Sequence, residues 1–449
     1  MRTESFSLEI NSSINPYKKS IAVDSDKSLS IRSFLIGSIS QGVSKVSNVL
    51  ESHDVFSAIS SLKKLGVKIK RDKSKSYTIY GKGIGSLFAK KGLNLYFGNS
   101  GTLARLLIGI LSTTPDIEVL IQGDKSLNKR SMKKLIELMS EFGAEFFPKN
   151  RFNFPLKLIS TEMPIGIEYR AGVSAQLKSA VMLAGLNSFG ITKIIEQKIS
   201  RDHTENIIRQ SKKVIKIEKK KNKIIKIYGK RNLSPFKLNI PGDPSSASFF
   251  TALTILIKGE SFLKINNVGL NPTRIGFYSL LKKHGAKIKF YNVKKNNNEI
   301  FGDIIISSSK IKPMKASKEY YVKSTDEYPI LFAIAALTEG VSTFKGIGDL
   351  ANKESNRIKE MQKILKQIGI KSSVNKDSVK VYGKKFIITK NKKIIVPNLG
   401  DHRICMSATI LSLVTGIKAE IKNFETVFTS APSFLKILKS LGGKFEIKK

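Results

Sequence analysis

Residues 280–288 read LLKKHGAKI. Apolar residues spaced along one face of a helix lead to Gly285, and a short β-forming run follows. A glycine just past a helix takes the left-handed cap conformation, and the chain then turns into a strand. The pattern recurs as SSLKKLGVKI around Gly66, LIELMSEFGAEF around Gly143, KILKQIGIKS around Gly369 and LKILKSLGGKF around Gly442. A sixth copy, without the glycine, lies at Ile207–Ile217. The copies stand roughly 70–85 residues apart, too long for a solenoid repeat and long enough for one βαβ-containing unit each. A single helix–Gly–strand connection is generic. Five at similar spacing predict an α/β chain of six like units in two pseudo-threefold halves.

Two segments look like crossings between the halves. One is Val23-Asp24-Ser25-Asp26, just before Lys27; the other is Ile240-Pro241-Gly242-Asp243-Pro244, with Asp243 placed to cap the helix that begins SSASFF. With both as crossings, the domains are residues 26–243 and residues 1–25 plus 244–449, the middle being a continuous insert.

Composition narrows the class. At 449 residues with 41% hydrophobic content, the chain can bury two or three cores. No run reaches the ~18 apolar residues that span a bilayer. The N-terminal MRTESFSLEI resembles a first strand rather than a signal peptide, so a soluble, cytoplasmic protein is expected. One cysteine, Cys405, rules out an internal disulfide or a cysteine zinc cluster, and four histidines are too scattered for a histidine-rich metal site. The formal net charge of +43 raises nucleic acid as a partner. The lysines, however, are spread along the whole chain beside Asn, Ile and Ser. Even the densest run, Lys212–Lys223, reads as strands and a turn with solvated faces. Such a surface suits an enzyme of small anionic substrates, whose arrival it speeds.

The chemistry lies at the starts of helices. Leu95–Leu107, LYFGNSGTLARLL, is a strand-like run, then Gly98-Asn99-Ser100-Gly101-Thr102, then a helix carrying Arg105. Free backbone N–H groups at a helix start favour an anion, while the missing Lys-Ser/Thr ending speaks against a nucleotide P-loop. Asp26-Lys27-Ser28-Leu29-Ser30-Ile31-Arg32 puts Ser28 and Arg32 on one helix face with Lys27 at the entrance. Gly123–Arg130 precedes a helix beginning SMKKL, with Arg130 at its start. Val173-Ser174-Ala175-Gln176 opens an apolar helix, and Ser200–Glu205, SRDHTE, runs into another. Asp326-Glu327-Tyr328-Pro329 precedes ILFAIAAL, so Asp326 is either a helix cap or a general base. In Lys353-Glu354-Ser355-Asn356-Arg357 the spacing predicts one helical turn that groups Lys353, Glu354 and Arg357. Asp401-His402-Arg403 stands before the apolar helix ICMSATILSLV. Cations and hydroxyls at helix starts in both halves suit a substrate with several anionic groups. The proton-transfer candidates are Asp326, Glu354, His402 and Lys27; no activated serine or cysteine nucleophile is evident.

This constellation resembles the 5-enolpyruvylshikimate-3-phosphate synthase family of enolpyruvyl transferases. DKSLSIR, GNSGTLARLL, SAQLKSAVMLAGL, SRDHTE, PGDPSSASFF, DEYPIL, KESNR and DHRICMS match its motifs in order and nearly end to end. The resemblance implies a fold: two α/β domains, each of three βαβαββ-type units in an inside-out α/β barrel, joined by two hinge crossings, with the active site in the interdomain cleft. It implies a reaction: phosphoenolpyruvate plus shikimate 3-phosphate gives the enolpyruvyl ether and phosphate by addition–elimination, towards chorismate and the aromatic amino acids. It implies no cofactor, no metal, no membrane and a monomer. The residue roles carried over are these. Lys27, Ser28, Arg32, Ser174, Ala175, Gln176, Ser200, Asp326, Asp349 and Lys353 hold shikimate 3-phosphate. Lys27, Asn99, Gly101, Thr102, Arg130, Gln176, Arg357, Arg403 and Thr429 hold phosphoenolpyruvate. Asp326 is the base for the 5-hydroxyl, Glu354 passes the proton to and from C3, Lys353 and His402 support charge and proton movement, and Lys27, counted with the catalytic residues, reaches both substrates. The first domain mainly binds shikimate 3-phosphate, and the second carries much of the phosphoenolpyruvate and acid–base machinery.

The sequence departs from the family pattern in four places. Its hinge reads DSDKS where Pro-Gly is usual; Asn352 and Asn356 replace Val and Asp; Asp349 stands where Asn is frequent; and Thr429 stands where some members place a lysine. Gly101 leaves room that a bulkier residue would remove, which points to entry of glyphosate. Two rival readings remain. One is the same fold acting on UDP-N-acetylglucosamine, where a Lys-Asn pair and a reactive loop cysteine would be expected in place of Lys27-Ser28 and a core-like Cys405. The other is a nucleic-acid-binding protein using the basic surface.

Overall fold

The computed structural model describes residues 5–219 and 221–449; residues 1–4 of the expected first strand and Lys220 of the dense lysine run lie outside them. All five repeat glycines take positive φ, from +77° at Gly369 to +102° at Gly285. Each stands two residues past a helix, and at Gly66, Gly143, Gly285 and Gly369 the next strand begins two residues later. Any residue with a Cβ would be strained at that turn.

Residues 93–159 show the unit most clearly. Strand Leu93–Tyr96 runs into helix Gly101–Leu111, and strand Glu118–Gln122 returns parallel to the first. Helix Lys133–Glu141 leads to strands Glu145–Phe147 and Leu156–Ile159. The second of these lies antiparallel between Glu145–Phe147 and Glu118–Gln122. Among the described residues, six four-stranded sheets follow this order, and none closes into a barrel. In three of them one strand comes from a distant stretch of chain. Lys237–Asn239 pairs with Gln41–Ser47, Lys18–Ala22 pairs with Phe262–Gly269, and Ser7–Ile10 lies between Lys418–Ile421 and Glu446–Lys448.

Contacts divide the chain into two units. One comprises the chain up to Asp24 with Pro241–Lys294 and Ile300–Lys449; the other is Ser25–Ile240 with Lys295–Glu299. These divisions fall at 24/25 and 240/241, where the sequence reading set 25/26 and 243/244, and residues 295–299 group with the middle segment. Each unit has its own apolar core.

Each unit also has three helices buried along almost their whole length. In the middle unit these are Lys27–Ser38, Gly101–Leu111 and Ala175–Leu186; in the other they are Pro244–Leu256, Tyr328–Ala336 and His402–Thr415. Apart from a few charged or polar residues, such as Arg32, Arg105 and Lys178, their sequences are apolar or small, so little is left for water. Five of the six begin with a side-chain cap. Asp26 accepts from Leu29 N (2.8 Å), Ser100 from Leu103 N (3.2 Å), Ser174 from Leu177 N (3.3 Å), Asp243 from Ser245 N (2.8 Å) and Asp401 from Arg403 N (3.0 Å). Each cap is worth about 1 kcal/mol and fixes the residue at which the helix opens. The motif residues therefore stand at defined points of a rigid core. Among the described residues, no helix is long and apolar enough to cross a membrane.

Candidate active site

In the Ser25–Ile240 unit, the entrance of helix Lys27–Ser38 places three groups. Lys27 Nζ lies 3.0 Å from Asp54 Oδ2, a buried carboxylate on helix His53–Lys64. Arg32 is buried, and its Nε donates to Thr204 Oγ1 (2.9 Å), its Nη1 to Ser28 O (3.2 Å) and its Nη2 to Ser179 Oγ (3.4 Å). Ser28 and Arg32 thus do meet across one helical turn, and the SAQLKS and SRDHTE segments meet Arg32 as well.

A second cluster surrounds Gly101. A Cβ there would stand 2.8 Å from Arg105 Nη1 and 3.0 Å from Arg130 Nη1, so the bare backbone lets two guanidinium groups converge. Arg130 bonds Asn99 and, at 3.2 Å, Ser126 Oγ. Arg105 Nη1 donates to Gln176 Oε1 (3.0 Å), and Gln176 Nε2 donates to Thr102 Oγ1 (2.9 Å). Asn99, Gly101, Thr102, Arg130 and Gln176 are thereby one connected group, with Ser174 and Ala175 at the start of the helix that carries Gln176. Arg130 does not open a helix: it follows the short helix Lys125–Asn128, and the next begins at Lys133. The Asp124 cap closes an earlier turn than the sequence spacing indicates. Ser200 has both donors engaged by Glu196 Oε1, through N at 3.0 Å and Oγ at 2.7 Å.

In the other unit the centre is Arg357, only 1% exposed. Its Nε lies 3.0 Å from Asp401 Oδ2, its Nη2 2.6 Å from Glu354 Oε2 and its Nη1 3.6 Å from Asp326 Oδ1. Burial disfavours the charged form, but Asp401, Glu354 and Asp326 outweigh it and the pKa is raised, so Arg357 stays protonated. Asp326 sits in the 3-10 turn Thr325–Glu327, 3.7 Å from Arg274 Nη1, and Arg274 in turn bonds Asp243 (2.9 Å) and Ser245 (3.1 Å). His402 and Arg403 are buried where the Asp401-capped helix opens. Among the described residues, Arg403 Nε and Nη1 have no hydrogen-bond partner. Asp349 accepts from Lys353 Nζ (2.5 Å) and the Tyr321 hydroxyl (2.8 Å). Thr429 donates to Thr426 O (2.7 Å) and so has its proton committed within its own turn.

Two further expectations are corrected. Residues 353–356 do not form a helical turn. The Asn356 side chain accepts from Lys359 N (3.0 Å) and caps helix Arg357–Gln367, which therefore starts after them. Lys353 pairs back to Asp349 instead, while the Glu354–Arg357 contact survives. Nor is the lysine run of 212–223 solvated throughout: Lys223 is buried and paired with Glu196 and Glu205.

The sequence reading gives no role to Asp54, Arg274, Glu196 or Thr204. One signal could have found Arg274. This chain writes most of its basic residues as lysine, so each arginine marks a place where a planar, forked donor is wanted. Arg32, Arg274, Arg357 and Arg403 are the arginines buried among the described residues.

Comparison with known proteins places the chain in a family. A family model described as EPSP synthase (3-phosphoshikimate 1-carboxyvinyltransferase) matches residues 12–438. A 3-phosphoshikimate 1-carboxyvinyltransferase of Zymomonas mobilis subsp. mobilis is 35% identical over 436 residues, covering 96% of both chains. One from a Sulfurihydrogenibium species is 36% identical over 425 residues, or 94% of this chain and 96% of the other. The solved structure of EPSP synthase from Acinetobacter baumannii matches with a TM-score of 0.84 at 32% identity, covering 99% of this chain and 100% of that one.

Proposed function

The chain belongs to the EPSP synthase (3-phosphoshikimate 1-carboxyvinyltransferase) family, and from that premise we propose how its residues divide the reaction. The enzyme is a transferase, EC 2.5.1.19, of the shikimate pathway and aromatic amino acid biosynthesis. It moves the enolpyruvyl group of phosphoenolpyruvate onto the 5-hydroxyl of shikimate 3-phosphate. The hydroxyl oxygen bonds to C2 while C3 gains a proton. The tetrahedral intermediate then breaks its C2–O bond to phosphate and returns the C3 proton.

Lys27, Ser28, Arg32, Ser174, Ala175, Gln176, Ser200, Asp326, Asp349 and Lys353 hold shikimate 3-phosphate. Asn99, Gly101, Thr102 and Arg130 hold phosphoenolpyruvate with Gln176, Arg357 and Arg403. Lys27 serves both substrates, and Thr429 adds no charge. Asp326 takes the 5-hydroxyl proton. Glu354, 2.6 Å from Arg357, gives a proton to C3 and takes it back. His402 supports that transfer. Cations fixed before the charge develops usually supply the largest catalytic contribution.

The single observation that carries the reading is Arg403. A buried guanidinium with two nitrogens lacking partners is costly, and an anion repays that cost. Against the UDP-N-acetylglucosamine reading, Cys405 is buried mid-core and its thiol is raised by desolvation, which is the wrong setting for a reactive cysteine. The test is phosphate release from purified protein with phosphoenolpyruvate, with and without shikimate 3-phosphate. Release that requires both substrates, with UDP-N-acetylglucosamine unable to substitute, is expected. Release with either acceptor alike, or with none, overturns the reading.

A further inference from the structure

Beneath the Arg32 cluster lie four charges that the reaction does not use. Lys178 Nζ is 2.8 Å from Glu196 Oε1 and 2.6 Å from Glu205 Oε1; Lys223 Nζ is 3.1 Å from Glu196 Oε2 and 3.1 Å from Glu205 Oε1. All four residues are buried. Their attraction roughly offsets the cost of taking them out of water, so stability alone is a poor reason to keep them.

Their neighbours supply a better reason. Glu196 Oε1 also accepts both donors of Ser200. Lys178 precedes Ser179 and Glu205 follows Thr204, and Ser179 and Thr204 bond each other at 2.8 Å and both hold Arg32. The four charges therefore tie together the helix that begins at Ala175, the end of strand Ile191–Glu196, and helix His203–Ile208. These elements carry Gln176 and two partners of Arg32, Ser179 and Thr204, and they flank Ser174 and the loop that holds Ser200.

We propose that Glu196 is a positioning residue for shikimate 3-phosphate: with Lys178 on the same oxygen, Oε1, its carboxylate fixes Ser200 and the loop after it in the binding conformation. This deepens, and rests on, the assignment of Ser200 and Arg32 to that substrate. Ser200 acts through the loop that its two donors pin.

The test measures phosphate release by the full chain while shikimate 3-phosphate is varied at saturating phosphoenolpyruvate. Two double variants keep the buried charge balanced. Glu196→Gln with Lys223→Met leaves the Lys178–Glu205 pair; Glu205→Gln with Lys223→Met leaves Lys178–Glu196 and the hold on Ser200. The first should raise the KM for shikimate 3-phosphate roughly tenfold or more, with kcat and the phosphoenolpyruvate KM within about twofold. The second should leave all three constants within about twofold of the parent, whatever it does to Tm. Glu196→Asp keeps every charge but withdraws the carboxylate by one methylene, and should reproduce the KM shift even if the first variant does not fold. Adding Ser200→Ala to Glu196→Asp should then cost little more. Equal KM changes in the two double variants, or an unchanged KM in Glu196→Asp, overturn the proposal and leave the four charges a structural role. A parent protein that releases no phosphate at all defeats the functional reading instead, independently of Glu196.

Discussion

Asp401 grips Arg357 twice, Nε to Oδ2 at 3.0 Å and Nη2 to Oδ1 at 3.3 Å, while its Oδ1 also accepts the Arg403 N–H that opens the next helix. One carboxylate thus orients one arginine of the phosphoenolpyruvate set and caps the helix bearing the other. Asp401→Asn keeps an acceptor for the cap but removes the charge. Breaking a buried pair in this way costs about 3–5 kcal/mol. A lowered urea midpoint and a raised phosphoenolpyruvate KM are both expected. A variant with lost stability and an unchanged phosphoenolpyruvate KM would confine Asp401 to a folding role.

Glu354 lies against Arg357 yet stands outside the helix that Arg357 begins, on the bend that Asn356 ends. Its carboxylate can therefore move without unwinding anything. Glu354→Gln should lower kcat by roughly 10²–10⁴, the usual range for a general acid–base group. Both KM values should change little. Near-parent turnover would remove Glu354 from proton transfer.

The hydrogen bonds of Arg32 to Thr204, Ser28 and Ser179 lie within the middle unit. Arg32→Ala should weaken shikimate 3-phosphate binding far more than phosphoenolpyruvate binding, as titration calorimetry with each ligand would read. Equal losses would mean that the two substrate sets are wrongly divided.

What is legible in the sequence is whatever local chemistry decides. The five glycines had to take positive φ, and Asp26, Ser100, Ser174, Asp243 and Asp401 had to cap, because each rule acts within a few residues. From these the units, the buried helices and most motif positions follow. Contacts between distant segments are not legible in one sequence. Nothing near Lys27 announces Asp54, and nothing near Arg274 announces Asp326. Residues 353–357 show the opposite failure. Helical spacing and the capping preference of Asn356 compete there, the cap prevails, and Lys353 is left to Asp349. Lys223 looks like its exposed neighbours in sequence, and only the two glutamates packed against it make it a core residue.

Gly101 leaves no free space for a methyl group, since both near neighbours are guanidinium nitrogens. They are the ends of flexible side chains, so Gly101→Ala should fold normally and displace Arg105 and Arg130 instead. The bonds from Arg105 to Gln176 and from Arg130 to Asn99 would then lengthen. Phosphoenolpyruvate KM should rise several-fold, and the inhibition constant of the longer glyphosate should rise by a larger factor. Steady-state kinetics with glyphosate as inhibitor checks this; a methyl group that changes neither constant would place phosphoenolpyruvate elsewhere.

The buried charges also set how stability responds to pH. Desolvation pushes the Glu205 carboxyl up, but Lys178 and Lys223 outweigh it and hold its pKa at about 2, against an ordinary 4.5. A carboxyl with a depressed folded-state pKa adds stability above its unfolded pKa and loses it as pH falls through the folded value. Lys223 has the opposite sign. Burial disfavours its charge, Glu205 and Glu196 restore it, and its pKa rises above the ordinary 10.5, so its contribution is lost as pH climbs past that point. Urea midpoints should therefore be flat near neutrality, fall between about pH 4.5 and 2, and fall again above pH 10.5. Glu205→Gln with Lys223→Met should flatten both limbs together, because it removes the two groups whose shifts supply them. If only one limb flattens, Glu205 and Lys223 do not stabilise the fold as a pair.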